Sequence, residues 1–551
     1  MTLADTLPAA PTPVETGVVP ALPDSPTREA VRPGRSTAAQ VEWVLLGLAY
    51  AVAGVAVVLR FIGPKALWLD ETLTVNIARL PLGQLFDALR HDGSPPAYYV
   101  ALHYWMGVFG TGTWSVRALA GVLSVATLPV AYRLGRALGG RRLAAVLVVL
   151  MATDPFALRY ATENRMYSLV MLLVTLAALS LVRLLQKPTI LRLVGFGVLC
   201  GLLMLTHYWA LYLMAGLGCC LLVASLRGQV RARARMALVA LCGGALLFLP
   251  WAPSFWFQAH HTGTPWATAS SPMMLIEAVG EFAGWEQHAG VVLFVFYGLA
   301  LAVLACAVVL RAAPQLRRYA VAVGWRRPVA GSRFVLPTVA VALITMVVAM
   351  LGGMVASAAF AYRYASVVMP LVVLLVAIGV AAVGRTKLGG VAAAVALLVM
   401  ALLGTTAGVH EILGQRTEAV LVAAQIAANA RPGDVVAYCP DQLGPAVSRL
   451  LPNRLLTQVT FPRFDDPQRI NWVDYAQVNA AANPDVFARQ VLNLAGEHDV
   501  WLVWEGGYRT FGRSCQQIRN TLEAARPDHA VEVRSQPSRY YEHESLVRFL
   551  P

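Results

Sequence analysis

Eleven apolar segments, each of about 17 to 25 residues, recur along this chain, at 42–62, 114–137, 142–158, 166–185, 190–206, 208–226, 236–256, 290–311, 334–356, 364–383 and 389–409. Each is long enough to cross a hydrocarbon layer about 30 Å thick. In that layer the backbone must satisfy its own hydrogen bonds, so each segment is expected to be a helix. Hydrophobic residues make up 58% of the chain and charged residues only 13%, which excludes a soluble globule. The fold class is therefore an α-helical polytopic membrane protein.

Arginine placement sets the orientation. A net charge of +14 would suggest nucleic acid in a soluble chain. Here the basic residues cluster between apolar segments, at 133–142, 183–192, 227–235, 311–333 and 385–387, as cytoplasmic loops do. No nucleic-acid partner is expected. Residues 95–110 would be a twelfth crossing, but that would turn Arg133, Arg136, Arg141 and Arg142 outward. They are expected to lie in the interface instead.

This orientation puts the N-terminus in the cytoplasm of a plasma-membrane protein. The loop holding Asp70 and Glu71, the 158–166 turn, the 257–289 loop and everything after about His410 then face outward. Residues 1–40 are rich in proline and lack an apolar run, so they read as a disordered cytoplasmic tail, with no signal peptide. Residues 41–410 form the membrane domain. Residues 411–551 change composition: short apolar runs such as Val435 to Cys439 and Val500 to Trp504 alternate with polar helical stretches. They read as an extracytoplasmic α/β domain. Of the cysteines only Cys439 and Cys515 fall there. Two readings stay open, a disulfide in an oxidising compartment and two buried free thiols.

The outer loops concentrate polar chemistry. Asp70 and Glu71 follow Trp68-Leu69, and neighbouring helical residues point about 100° apart, so the two carboxylates cannot do the same job. One could accept a proton while the other orients a group; alternatively, Asp70 simply caps the helix that follows. His91 and the aromatics Tyr98 and Tyr99 share that loop. The turn Arg159-Tyr160-Ala161-Thr162-Glu163-Asn164-Arg165-Met166-Tyr167 is dense in polar groups. Arg159 and Glu163 could pair at a spacing of four, leaving Arg165 for a phosphate, whose oxygens a guanidinium matches. Arg363, between Tyr362 and Tyr364, is either a second phosphate ligand or a snorkelling interface anchor. His207-Tyr208-Trp209 reads as part of an aromatic belt.

Taken in order, Trp68-Leu69-Asp70-Glu71, Ser94-Pro95-Pro96-Ala97-Tyr98-Tyr99, Trp114-Ser115-Val116-Arg117, Glu163-Asn164-Arg165-Met166-Tyr167 and Arg363-Tyr364 leading to Pro370 resemble the GT-C membrane glycosyltransferases. The pattern is most similar to the protein O-mannosyltransferase and lipid A aminoarabinose transferase groups, over about residues 42 to 380.

The resemblance implies an inverting transferase that takes a sugar from a polyprenyl-monophosphate carrier and passes it to a cell-envelope glycan, lipid or protein on the outer face. The sugar would be mannose or a pentose such as arabinose. It implies Asp70 as base, with Glu71 in support, and Arg165, Arg363 and Tyr364 at the carrier phosphate. Supporting or acceptor-binding positions would be His91, Tyr98, Glu163, Tyr167 and His207. Relatives often carry His-Pro-Pro where this chain has Ser94-Pro95-Pro96, so that histidine has no counterpart. The loop holds no Asp-x-Asp, and no obligatory metal or other cofactor is expected. The alternatives are a transporter or flippase for a lipid-linked saccharide, and a scaffold that binds glycan. In the exported domain, Trp472, Trp501, Trp504 and Tyr508 are either sugar-stacking platforms or core.

Overall fold

The computed structural model describes residues 37–551 apart from Lys65, 228–229, 264–270, 323–324, 326–330, 357–360, 385–386 and 452–455. The expected tail thus lies outside the described residues, except for its last four, which already belong to the first helix.

The membrane domain runs α1 (Thr37–Leu59), α2 (Leu69–Ala78), α3 (Leu82–Asp92), α4 (Ala97–Phe109), α5 (Thr113–Gly139), α6 (Arg141–Thr153), α7 (Pro155–Ala161), α8 (Tyr167–Gln186), α9 (Ile190–Met204), α10 (Trp209–Leu226) and α11 (Arg231–Ala245). It continues with α12 (Ala252–His261), α13 (Met273–Ala283), α14 (His288–Ala312), α15 (Arg317–Ala322), α16 (Val335–Ala356), α17 (Met369–Val383) and α18 (Lys387–Leu413). Among the described residues, eight helical stretches are long and apolar enough to cross a membrane. A ninth is the pair α6 and α7, bent by 55°. The expected spans at 190–206 and 364–383 form helices of 15 residues each, α9 and α17, which are short for a straight crossing.

Three departures from unbroken spans shape the bundle. At 142–158 the helix breaks where Asp154 caps a new one, accepting from the Ala157 N–H at 2.9 Å, with Pro155 in its first turn. Pro250 stands in a 3-10 stretch between α11 and α12. Residues 362–367, of which 364–367 were expected inside a span, form a 3-10 turn before α17, and Arg363 sits in that turn. The loop after α1 folds as three helices: α2 ends before Pro81, α3 ends at Gly93, and α4, over the expected interfacial segment 95–110, has only 13 residues, too few to cross. Gly93 has φ +83°, and a Cβ there would meet Thr262 Oγ1 at 2.8 Å. Both the turn and the approach of the 262 region require glycine.

The C-terminal part comprises α19 (Ala419–Asn429), β1 (Val435–Cys439), α20 (Gly444–Leu450), β2 (Thr457–Thr460), α21 (Tyr475–Ala481), α22 (Pro484–Ala495), β3 (Val500–Trp504), α23 (Ser514–Ala525), β4 (His529–Val533) and β5 (Ser545–Phe549). The sheet order is β2-β1-β3-β5-β4, with β1 parallel to β2 and β3, and β5 antiparallel to β3 and β4. Alternate residues of the central strands face opposite layers. Val435, Ala437, Val500 and Leu502 pack on α22 and α23, and Val436, Tyr438, Trp501 and Val503 pack on α19 and α20. This is a small α/β domain, and its core includes Leu73 of α2. Cys439 and Cys515 form a disulfide that ties β1 to α23.

Candidate active site

Helix α2 brings its neighbouring carboxylates into different surroundings, as their angular separation demands. Glu71 is fully buried. Arg117 of α5 donates Nε to Oε1 at 2.7 Å and Nη2 to Oε2 at 2.5 Å, and the Asn164 backbone N–H donates to Oε1 at 2.8 Å. Arg117 is fixed in turn by the carbonyls of Pro64 and Ala66. Burial alone would raise the Glu71 carboxyl, but the Arg117 guanidinium outweighs it and holds it below the ordinary glutamate range. With its oxygens engaged, Glu71 pins α2 to α5 and to the 162–166 turn.

Asp70 faces the cleft, its side chain 19% exposed. The helix starts at Leu69 with Trp68 at the cap position, so Asp70 does not cap it. Two guanidiniums converge on Asp70 Oδ2: Arg165 Nε at 4.0 Å and Arg363 Nη2 at 3.7 Å. Arg165 also donates Nη1 to Thr74 Oγ1 at 2.8 Å and lies 3.5 Å from Tyr99 Oη. Tyr99 in turn donates to Asp92 at 2.9 Å. Burial works against both guanidinium charges, but Asp70 with Tyr99 at Arg165, and Tyr167 with Asp70 at Arg363, hold them above the ordinary range. The Nε atoms of Arg165 and Arg363 are buried and donate no hydrogen bond, and neither does the Tyr167 hydroxyl.

Arg363 is placed by its turn. Tyr362 donates to Glu277 of α13 at 2.5 Å, and the Tyr364 ring lies 5.2 Å from His207 and 5.8 Å from Trp209. His207 is buried beside both arginines. Burial first, then those charges, push its ring down to about 3. It is therefore neutral, and its Nδ1 accepts from the Trp209 N–H at 3.1 Å. His207 and Tyr167 thus wall the cleft.

Other expected residues sit elsewhere. His91 bonds its own helix at Asp87 O, 3.0 Å away, and does not join Asp70. Tyr98 donates to Asn164 Oδ1 at 2.9 Å and so braces the turn. Arg159 and Glu163 do not pair. Arg159 reaches Glu411 at 3.0 Å and Glu163 meets Arg416 at 2.5 Å, because the last turn of α18 and the segment after it bring these two partners to the turn. Trp501 is fully buried, with its Nε1 bonded to Asp434 at 3.0 Å, and Trp472 is buried, so both are core rather than platforms. Trp504 lies under the Arg519 guanidinium.

Sequence reasoning assigned no role to Arg117, Asp92, Tyr99, Arg416 or Glu542. Glu542 accepts from the Leu69 N–H at 3.0 Å. Asp92 and Tyr99 lie in the stretch that carries His91 and Tyr98, so that signal was within reach. Arg117 ends the Trp114-Ser115-Val116-Arg117 motif, which marks the position but not its partner; Arg416 and Glu542 act across long chain separations, and no local pattern marks them.

An apolar cavity of about 490 Å³ runs between helices. Leu203, Leu213, Leu371 and Leu374 are among the residues that line it, with Arg233 and Arg333 also in its wall. Among the described residues, no three His, Cys, Asp or Glu side chains are grouped to hold a metal.

Residues 93–254 match the family model described as dolichyl-phosphate-mannose-protein mannosyltransferase. No curated protein matches the chain in sequence. Among solved structures, apo ArnT from Cupriavidus metallidurans is similar, with a TM-score of 0.59 and 16% identity over 93% of this chain and 98% of that one. The same protein bound to undecaprenyl phosphate gives 0.56 at 13% identity over the same shares. The arabinofuranosyltransferase AftD from Mycobacteria gives 0.52 at 13% identity, over 91% of this chain and 40% of that one. The chain has the GT-C membrane fold.

Proposed function

We propose that this protein transfers a sugar, mannose or a pentose such as arabinose, from a polyprenyl monophosphate to a hydroxyl of a cell-envelope glycan, lipid or protein on the outer face of the plasma membrane. The observation that carries this reading is the convergence of Arg165 and Arg363 on Asp70. A proton acceptor and two phosphate-matching cations share one cleft. The apolar cavity between the helices suits an isoprenoid tail, and a structure of similar fold is described as bound to undecaprenyl phosphate.

In the proposed reaction Asp70 takes the proton of the acceptor hydroxyl as that oxygen attacks the anomeric carbon. The bond from that carbon to the phosphate oxygen breaks, and attack opposite the leaving group inverts the centre. Arg165 and Arg363 bear the charge that builds on the departing phosphate, and their fixed placement lowers the cost of forming it. Neutral His207 adds no competing charge. Glu71 and Arg117 hold the helix that presents Asp70. With Asp70 and the guanidiniums in place, the step requires no metal.

The test incubates the full-length protein in lipid nanodiscs with radiolabelled decaprenyl-phosphoryl mannose or decaprenyl-phosphoryl arabinose and a cell-envelope extract. Release of decaprenyl phosphate with label in the extract is expected for one donor. Movement of intact donor between leaflets, with no cleavage of either donor, would replace the transferase with a flippase.

A further inference from the structure

Helix α2 begins with an unusual arrangement at its N-terminus. The residue at its cap position is Trp68, which supplies no side-chain acceptor. A helix start leaves its first N–H groups without intrahelical partners, and a side-chain oxygen normally takes one of them. Here the acceptor comes from the other domain: Oε2 of Glu542 takes the Leu69 N–H at 3.0 Å. The next residue in the helix is Asp70.

Glu542 is itself held rigidly. Its backbone N–H donates to Arg416 O at 2.8 Å, and its carbonyl accepts from the Glu418 N–H at 3.0 Å. A parallel bridge thus joins it to the segment leaving α18. The same segment sends Arg416 to Glu163 at 2.5 Å, next to the turn that carries Arg165. One residue before Glu542, Tyr541 meets Trp68 edge to face with ring centres 5.6 Å apart. The strap formed by 416–418 and 541–542 therefore touches both the helix of the proposed base and the turn of the proposed phosphate ligand.

We propose that Glu542, in the exported domain, is a positioning residue for Asp70: by capping α2 it sets where that carboxylate lies relative to Arg165 and Arg363. This rests on the reading of Asp70 as base. Burial lifts the Glu542 carboxyl to about 8, so near neutral pH it is an uncharged acceptor. An uncharged cap supports the helix without adding a third negative charge beside Asp70 and Glu71. An amide oxygen can do the same, whereas a methyl group cannot.

Two variants of the full-length protein test this, Glu542→Ala and Glu542→Gln, each read in two ways. Hydrogen–deuterium exchange over residues 66–80 reports the cap. Turnover of decaprenyl-phosphoryl mannose and decaprenyl-phosphoryl arabinose with envelope extract reports the base. The alanine variant is expected to exchange at least tenfold faster in the first turn of α2 and to lose tenfold or more in kcat. Its donor KM should stay within twofold, and the glutamine variant should restore both readouts. A purely structural role would lower the amount of folded protein without this split between kcat and KM.

Unchanged exchange in Glu542→Ala overturns the proposal, and so does faster exchange with unchanged turnover. If Asp70→Asn proves fully active while exchange still rises in Glu542→Ala, Asp70 is not the base. The positioning role then falls with that reading, and the exchange result shows that the cap itself was real.

Discussion

Asp70 Oδ2 lies 3.7 Å from Nη2 of Arg363, although one residue belongs to α2 and the other to the turn before α17. Arg165 approaches the same oxygen at 4.0 Å. In the proposed reaction these guanidiniums must release the carboxylate in part to grip a phosphate. Asp70 and the carrier phosphate would thus compete for the same two cations before they act on the same substrate.

Substitution of Asp70 by Asn separates these roles. Removing the proton acceptor should cost roughly 100-fold to 10,000-fold in turnover, the usual range for a positioned general base. Removing its negative charge should leave decaprenyl phosphate bound at least as tightly as in the unaltered protein. Turnover assays alongside lipid-phosphate titrations check the pair of outcomes, and near-normal transfer would remove Asp70 as base.

At Arg363 the fork matters more than the charge. A lysine keeps the charge but loses planar, two-point contact with phosphate oxygens. Arg363→Lys should weaken decaprenyl phosphate binding by about tenfold, equivalent to about 1.4 kcal/mol. Equal affinity in a direct titration would show that this arginine anchors the turn and does not hold the ligand.

The buried pair of Arg117 and Glu71 makes a stability prediction. Arg117→Ala would strand the Glu71 carboxylate away from water, a change that typically costs about 3–5 kcal/mol. The melting temperature should fall sharply, and adding Glu71→Gln should recover part of the loss because the stranded charge is gone. Thermal unfolding in one detergent, compared across the single and double variants, gives the coupling.

Much of this architecture was legible because lipid imposes simple rules. Apolar length marked the long helices, and composition marked the α/β domain. The polar clusters at span ends pointed to Asp70, Arg165 and Arg363, which the structure brings together. What stayed hidden depended on partners remote in sequence. Nothing local says that Glu71 belongs to Arg117, that Glu163 prefers Arg416 to Arg159, or that α2 is capped by Glu542. The break at Asp154-Pro155 did carry a visible cap-and-proline signature, but continuous hydropathy across 142–158 masked it.

The Cys439–Cys515 bond spans a sequence separation of 76 residues. Restricting an unfolded loop of that length stabilises the folded domain by about 4.5 kcal/mol in the chain-entropy account. Replacing both cysteines with serine should lower the melting temperature of the C-terminal α/β domain and quicken its proteolysis. Digestion rates for residues 414–551 with and without reductant give the comparison.

Glu542 also makes stability depend on pH. Burial is the largest cause of its raised pKa; Asp70 and Glu71 push the same way, while the Leu69 N–H and Thr417 pull it back, leaving it at about 8. In an unfolded chain a glutamate ionises near about 4.3, so the folded state holds this proton over a wide range in which the unfolded state has lost it. The stability tied to the neutral carboxyl is therefore fully present below about 4.3 and is lost progressively as pH rises to about 8. Glutamine at this position stays neutral throughout. Glu542→Gln should melt within a degree or so of the unaltered protein near pH 5 and clearly above it near pH 8.5. A melting difference that does not change with pH would mean that the Glu542 carboxyl is ionised in the folded protein, and the uncharged cap on α2 would have to be abandoned.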